Sequence, residues 1–530
     1  MTYSVLKLHL LYYTIYSGGK MLAKVSSFAL GGLKGFSVEA EIDINPGVPS
    51  YETVGLAGTA VKESKERVRS ALKNSGYEFP LRRITINLAP ADVKKEGTFF
   101  DLAIAIGIMV ASGQIQTTSH KDYVFIGALS LDGRVCKVNG LMPIMISAVQ
   151  NGYTRFIIPA ENGFEASFIE GAEVYPVSSL TDAVDFLKGD KLIAKLNQGK
   201  YEATVDKFSA LVDFCDVKGQ ASAKRALEIA VSGGHNALMI GPPGSGKTML
   251  ARCVPTIMPP MSFEEALEVT KIHSVAGALD PREGIVRQRP FRSPHHTATT
   301  VSLVGGGTDC HPGEISLAHN GVLFLDELPE YSRHTLETLR QPLEDGVITV
   351  SRAVGTVEYP AHFILIASMN PCPCGNYGSR TQICTCSDSA IRKYRAKLSG
   401  PLMDRIDLHI DVDSVSYQSL KDKSEQEKSE SIKERVCKAR EIQLERFKGT
   451  GVFTNARMTP AMINKYCALD KKCEDLMEKA FTKLRLSARA NSRILKVART
   501  IADLDGEKNI LDKHILEAIK YRSLDRKYNE

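Results

Sequence analysis

The sequence predicts three globular parts: a mixed α/β domain, a phosphate-loop core built on a parallel sheet, and a helical C-terminal domain. Three observations lead there. A complete G-x-x-x-x-G-K-[ST] motif, Gly241–Thr248, sits between an apolar run and a helical stretch. Two later apolar runs end in polar residues suited to phosphate chemistry, Asp326-Glu327 and Asn370. Beyond Lys421 the chain turns charged and helical in period. A length of 530 residues suits three or four domains. Hydrophobic residues at 43 % and charged ones at 24 % exclude wholesale disorder and collagen-like chains. No apolar run approaches the roughly 18–20 residues a membrane span needs.

Residues 1–20 lack a clear period and precede a second methionine. Ser17-Gly-Gly-Lys-Met21 is what a purine-rich ribosome-binding site gives when translated, so the reading expects a mis-annotated start, with synthesis beginning at Met21. Leu8–Tyr16 is too short and too poor in small residues for a secretory signal, so a reducing cytoplasm is expected. Seven of the 11 cysteines are scattered, and the clustered ones then read as metal ligands before disulfides.

Residues 21–188 form the first expected domain. Val38, Ala40, Ile42 and Ile44 alternate with polar residues as a half-buried strand. Ala60–Asn74 reads as an amphipathic helix, Ile84–Leu88 as a strand, and Leu102–Ala111 as a buried helix. Val124–Ile126 and Phe156–Ile158 read as further strands. Residues 189–210 are polar and turn-rich, an expected linker.

Residues 211–415 carry the chemistry. Ala237–Ile240 predicts the strand before the phosphate loop, and Met249–Val254 the helix after it. In Gly241, Pro242, Pro243, Gly244, Ser245, Gly246, Lys247 and Thr248, backbone N–H groups turn inward to cradle phosphate. Lys247 is expected at the β- and γ-phosphates, and Thr248 on magnesium. Val322–Leu325 is an apolar strand ending in two carboxylates. Asp326 suits the magnesium, and Glu327 the general base for an attacking water. Phe363–Met369 ends in Asn370, an amide placed to orient that water; a turn residue before Pro371 is the plainer reading.

Arg292, His295 and His296 lie in a long insert between the phosphate loop and Val322, where they suit phosphate contacts. A shared metal on the two histidines is not expected, because neighbours in extended chain point apart. Val347–Tyr359, with Arg352 between two short runs, reads as a hairpin before the Asn370 strand. Cys372, Cys374, Cys384 and Cys386 give C-x-C-x9-C-x-C, four thiolates suited to tetrahedral zinc; inert or redox-active thiols are the alternative.

Residues 416–530 form the helical part, with Lys421–Phe447 as its first helix. From Lys421 on there are 26 basic and 18 acidic residues, which holds the chain's surplus positive charge. Arg485, Arg489, Arg493 and Lys496 share a helical face, read as DNA-binding or solvated.

Loop, carboxylate pair and asparagine, in this order, resemble an AAA+ ATPase. Asp216–Gln220 resembles that family's adenine segment, and Gly400–Leu408 its arginine-finger stretch. Within it, Phe291-Arg-Ser-Pro-His-His-Thr297, Gly305–Gly307, Pro312–Gly321 and Leu486–Ala490 resemble the YifB/ComM group of magnesium-chelatase-like ATPases, from Met21 nearly to the end. The resemblance implies an AAA+ P-loop core with a helical lid, preceded by a Lon-protease-like α+β domain. It implies ATP and magnesium as cofactors, and a homo-oligomeric, hexameric ring. Arg405 would act on the neighbouring subunit's ATP, and Arg489, as the second sensor, would reach the γ-phosphate of ATP from the helical lid. The Val347–Tyr359 hairpin would touch DNA as in related helicases, packing against a neighbouring subunit being the plainer reading. A local ion pair of Arg405 with Asp404 or Asp407 is the plainer alternative. In the Lon-like domain Phe99 and Met142 stand where serine and lysine are expected, so no proteolysis is foreseen. The implied function is a cytoplasmic ATP-driven motor on single-stranded or branched DNA, as in branch migration, helicase action or competence. The alternative is a chelatase-like motor remodelling a protein or tetrapyrrole partner.

Overall fold

The structure is a computed structural model and describes residues 22–202, 212–307, 310–352, 355–378, 382–414, 426–484 and 486–522. The expected extra start, residues 1–20, and Arg485 lie outside these. The chain forms two compact units. The first runs to Tyr201 and includes Thr270–Ile285; the second holds Glu202–Val269 and the chain from Val286.

In the first unit, β1 (Leu22–Gly31) and β2 (Lys34–Asn45) pair antiparallel, with Val25 opposite Ala40. The alternation read in β2 is real: Val38, Ala40, Ile42 and Ile44 are all buried. With β3 (Ser50–Val54), β4 (Arg83–Ala89), β5 (Val124–Phe125), β6 (Arg155–Pro159) and β7 (Glu173–Val177) they make a seven-stranded sheet, ordered β3-β4-β2-β1-β5-β6-β7. Helices α1 (Thr59–Asn74) and α2 (Asp101–Ala111) contact each other and match the expected segments. α2 is apolar on all sides because it is buried on all sides. Gly107 lets it approach β2: a Cβ there would lie 2.2 Å from Ile42 Cδ1. Arg67 of α1 ties Asp101 through Nε at 2.6 Å.

Two segments depart from the expected boundaries. Part of the linker is docked on the first unit: Leu196 N–H donates to Val174 O and Gly199 N–H to Ser167 O, both at 2.9 Å. Thr270–Ile285, expected in the ATPase core, counts with the first unit. Leu279 and Ile285 are buried, and Ser274 bonds the buried Glu165 carboxylate. Those two apolar residues lie in a polar, turn-rich stretch too short to show a period.

The second unit centres on a five-stranded parallel sheet. Its strands are β8 (Ala237–Ile240), β9 (Phe291–Arg292), β10 (Val322–Leu325), β13 (Ile364–Met369) and β14 (Leu408–Asp411), in spatial order β9-β10-β13-β8-β14. The expected hairpin is present as β11 (Val347–Arg352) and β12 (Gly355–Pro360), with Val350 opposite Val357. All four residues of β8 and of β10 are buried, as a sheet covered on both faces requires.

Among the described residues after β14 are five helices: α3 (Ser429–Arg446), α4 (Pro460–Tyr466), α5 (Lys471–Leu484), α6 (Ala488–Leu504) and α7 (Asp512–Lys520). Helix α3 begins at Ser429; the reading expected Lys421, and residues 421–425 lie outside the described ones. α3 and α6 pack on the helix Ala221–Gly233, so sheet and C-terminal helices share one core. Buried polar groups pin this junction. Arg446 Nη2 meets Asp503 Oδ1 at 2.5 Å, and the His235 ring nitrogen lies 2.8 Å from Thr500 Oγ1.

Candidate nucleotide site

The carboxyl ends of β8, β10 and β13 bring the predicted chemistry to one sheet edge, where ligands bind in open α/β folds. β8 runs into the phosphate loop, and a helix begins at Lys247. Gly244 and Gly246 hold φ of +74° and +89°, which glycine adopts without strain. Gly241 has no room for a side chain: a Cβ would lie 2.1 Å from Val412 O beyond β14. The Ser245 hydroxyl is buried with no hydrogen-bond partner among the described residues. Gln220 of the expected adenine segment donates to Ser245 O at 3.2 Å and Asp413 O at 2.6 Å, so that segment braces the loop.

Lys247 Nζ donates to Gly241 O (2.8 Å), Pro242 O (2.9 Å) and Asn370 Oδ1 (3.3 Å). Burial lowers its pKa, against the raising influence of Asp326 and Glu327. Thr248 Oγ1 donates to Asp326 Oδ2 at 2.8 Å. This hydroxyl and carboxylate are hard oxygen donors and suit magnesium. Ser368 of β13, which the sequence reading missed, donates to Asp326 Oδ1. Its signal was the single polar residue inside an apolar strand.

Glu327 is half exposed at the strand end and lies next to His296, which the sequence reading gives to phosphate. His296 Nδ1 is 3.4 Å from Glu327 Oε2. The histidine pair corrects the sequence reading. The rings do not point apart but stack, with centroids 4.1 Å apart at 34°. The reason is a turn closed by Ala298 N–H to His295 O, where extended chain was assumed. Tyr331 fastens the same loop by donating to Pro294 O at 2.6 Å. Arg292 does not present a free guanidinium for phosphate: Glu314 takes it in two bonds of 2.6 and 2.8 Å.

The arginines predicted to complete the site lie at the other end of the sheet. β8 and β14 are parallel, with Ala237 beside Leu408 and Ile240 beside Asp411. The phosphate loop therefore follows the carboxyl end, and Arg405 precedes the amino end. Arg405 pairs with Glu344, not with Asp404 or Asp407. Its main-chain O accepts from Asn236 Nδ2 at 3.2 Å, at the start of β8. Arg493 pairs with the buried Asp407 at this edge. The Glu344 carboxyl is lowered first by its Arg405 hydrogen bond, with further pull from Arg489 and Arg493. Arg489 is exposed beside this group.

The basic stripe is thus not one free face. Arg493 is spent on Asp407, and Lys496 donates to Ala456 O at 2.8 Å. Arg499 is buried on Asp503. Helical period located the cations, but the Asp407 carboxylate that takes Arg493 and the Ala456 carbonyl that takes Lys496 come from distant sequence.

Cys372, Cys374, Cys384 and Cys386 converge, their sulfurs all within 4.8 Å of one another. Backbone N–H groups of Asn376 and Thr385 hold the Cys374 thiol down at about 5. In the first unit Met142 is buried and Phe99 partly buried against its core.

Comparison with known proteins decides the family. "Magnesium chelatase, subunit ChlI" matches residues 213–420, "Subunit ChlI of Mg-chelatase" residues 40–162, and "Magnesium chelatase, subunit ChlI C-terminal" residues 426–522. The chain is 44 % identical over 510 residues to "Competence protein ComM" of Haemophilus influenzae, covering 95 % of this chain and 98 % of that protein. The chain belongs to the YifB/ComM family of magnesium-chelatase-like AAA+ ATPases. "Uncharacterized protein YifB" of Salmonella typhimurium is 43 % identical over 507 residues, covering 95 % and 98 %. A Lon protease of Bacillus thuringiensis is 27 % identical over 135 residues, 24 % of this chain and 17 % of that one, in keeping with the Lon-like N-terminal part. No helix among the described residues is long and apolar enough to cross a membrane.

Proposed function

We propose that this AAA+ ATPase is a cytoplasmic ring motor acting on single-stranded or branched DNA, with ComM-like branch migration as its work. The observation that carries the ATPase part is the meeting of Lys247, Thr248, Asp326, Glu327 and Asn370 at one sheet edge. The phosphate-loop N–H groups and Lys247 hold the ATP phosphates. Thr248 and Asp326 hold magnesium, which when bound neutralises charge on the phosphate oxygens. Glu327 accepts the proton of the attacking water, and Asn370 orients that water. Arg405, joined by Arg489, completes the site of the next subunit in a hexamer. The support is position: both lie by Glu344 at the edge away from their own phosphate loop.

The DNA part rests on likeness to a competence protein over nearly its whole length, and on the hairpin β11/β12. The first unit serves as a scaffold without proteolysis, since its Lon-like dyad positions are Phe99 and Met142. Zinc in the four-cysteine cluster belongs to the same reading. A second reading, a chelatase-like motor on a protein or tetrapyrrole partner, draws on the chelatase-subunit matches.

ATPase activity measured without DNA and with single strands, duplex or a four-way junction, at two salt concentrations, separates the two. Stimulation that fades with salt supports the DNA motor. Hydrolysis indifferent to every DNA, with no DNA binding by the assembled protein, supports the chelatase-like reading.

A further inference from the structure

The cysteine cluster adjoins the nucleotide site. Cys372 lies two residues beyond Asn370, at the end of β13. Gly375, in the same loop, touches the phosphate loop: a Cβ there would lie 2.5 Å from Pro243 Cδ. Arg395 covers the loop, with its guanidinium 4.8 Å from the Tyr377 ring centroid and a bond from Nη2 to Pro371 O at 3.3 Å.

The sulfur geometry is specific. Cys372 and Cys374 are 3.4 Å apart, Cys374 and Cys384 3.6 Å, and Cys372 and Cys384 3.7 Å. These are too long for disulfides, and all four cysteines are free. A tetrahedron of sulfurs about 2.3 Å from a central zinc has edges of about 3.8 Å. Main-chain N–H groups point at two of the sulfurs: Cys374 N–H to Cys386 Sγ at 3.4 Å, and Tyr377 N–H to Cys372 Sγ at 3.3 Å. Such donors favour thiolates.

We propose that zinc held by Cys372, Cys374, Cys384 and Cys386 is a brace for ATP hydrolysis. It fixes the loop that joins the Asn370 strand end to Pro243 of the phosphate loop, and so keeps Asn370 in register with Lys247. The metal touches neither nucleotide nor water. This rests on the zinc reading above and adds a dependence of turnover on the metal. Without it, no disulfide or ion pair among the described residues of 371–386 spans the cluster, and Asn370 loses its anchor.

The test uses the full chain. Metal content is measured by atomic emission, and cobalt(II) exchange is followed by its ligand-field absorption. About one zinc per chain and a tetrahedral thiolate cobalt spectrum are expected. Cys384→Ser should lose the metal and lower kcat at least tenfold, with the melting of the first unit unchanged. In case that variant does not fold, zinc is also removed from the folded parent with a mercurial and a chelator. The expected result is kcat falling in step with zinc released and returning on re-addition. No stoichiometric metal and no cobalt spectrum would overturn the zinc reading itself. Stoichiometric zinc with parental kcat in the stripped chain would leave zinc standing and overturn the brace.

Discussion

Glu327 sits at a φ of +51°, a left-handed conformation that a non-glycine residue adopts at some cost. Its N–H bonds the carboxylate of Asp326 at 3.1 Å, which helps hold this turn. Glu327→Gln should retain ATP binding and lose turnover by about 100-fold or more, read as kcat beside nucleotide affinity. His296→Ala should lower kcat with little change in the KM for ATP, because the imidazole steadies the base and not the phosphates. A second residue-scale test concerns Asp407, fully buried. Burial raises its pKa, but Arg493 and His235 more than offset this and hold it well below the ordinary range. Its stabilising contribution is full above the unfolded carboxylate pKa of about 3.9 and fades as pH falls towards the depressed folded value. Arg493→Ala should cost about 3 kcal/mol at neutral pH. It should also flatten the acid limb of stability against pH, measured by chemical denaturation from pH 7 to pH 3.

Among the elements, β8 and β14 lie so close at the phosphate loop that Gly241 meets the carbonyl of Val412. Gly241→Ala should therefore push these strands apart. A loss of about 1–3 kcal/mol is expected, with weaker nucleotide binding, read by thermal melting with and without ATP. β8, β10 and β13 were legible in the sequence because each is a short apolar run ending in a chemically specific residue. β2 was legible by alternation. β9 was not, since two residues carry no period, and neither was the docking of Thr270–Ile285 in the first unit. Ser368 escaped the reading, and His296 was given to phosphate and not to the base, for a related reason: their partners, Asp326 and Glu327, lie 42 and 31 residues away. The stripe Arg489, Arg493 and Lys496 shows the opposite error. Its spacing was right, but Asp407 and the Ala456 carbonyl reach it only through the tertiary fold.

At the scale of the whole molecule, the proposal turns on the two edges of one sheet. Lys247, Thr248, Asp326, Glu327 and Asn370 gather at the carboxyl edge. Arg405 precedes β14 at the amino edge, across roughly 13 Å of strand. An arginine so placed serves another chain's phosphate more readily than its own, and leaving Glu344 is the step it must take. On this account an ATP site is complete only between two subunits. The direct test mixes Arg405→Ala chains with Glu327→Gln chains. Each alone should hydrolyse ATP at least about 1,000-fold and 100-fold more slowly, respectively, than the parent. In mixed rings, the Glu327→Gln chain lends its Arg405 to the intact base of its Arg405→Ala neighbour, so activity should return in part. No recovery in rings verified as mixed, or full activity in Arg405→Ala alone, would contradict the shared site.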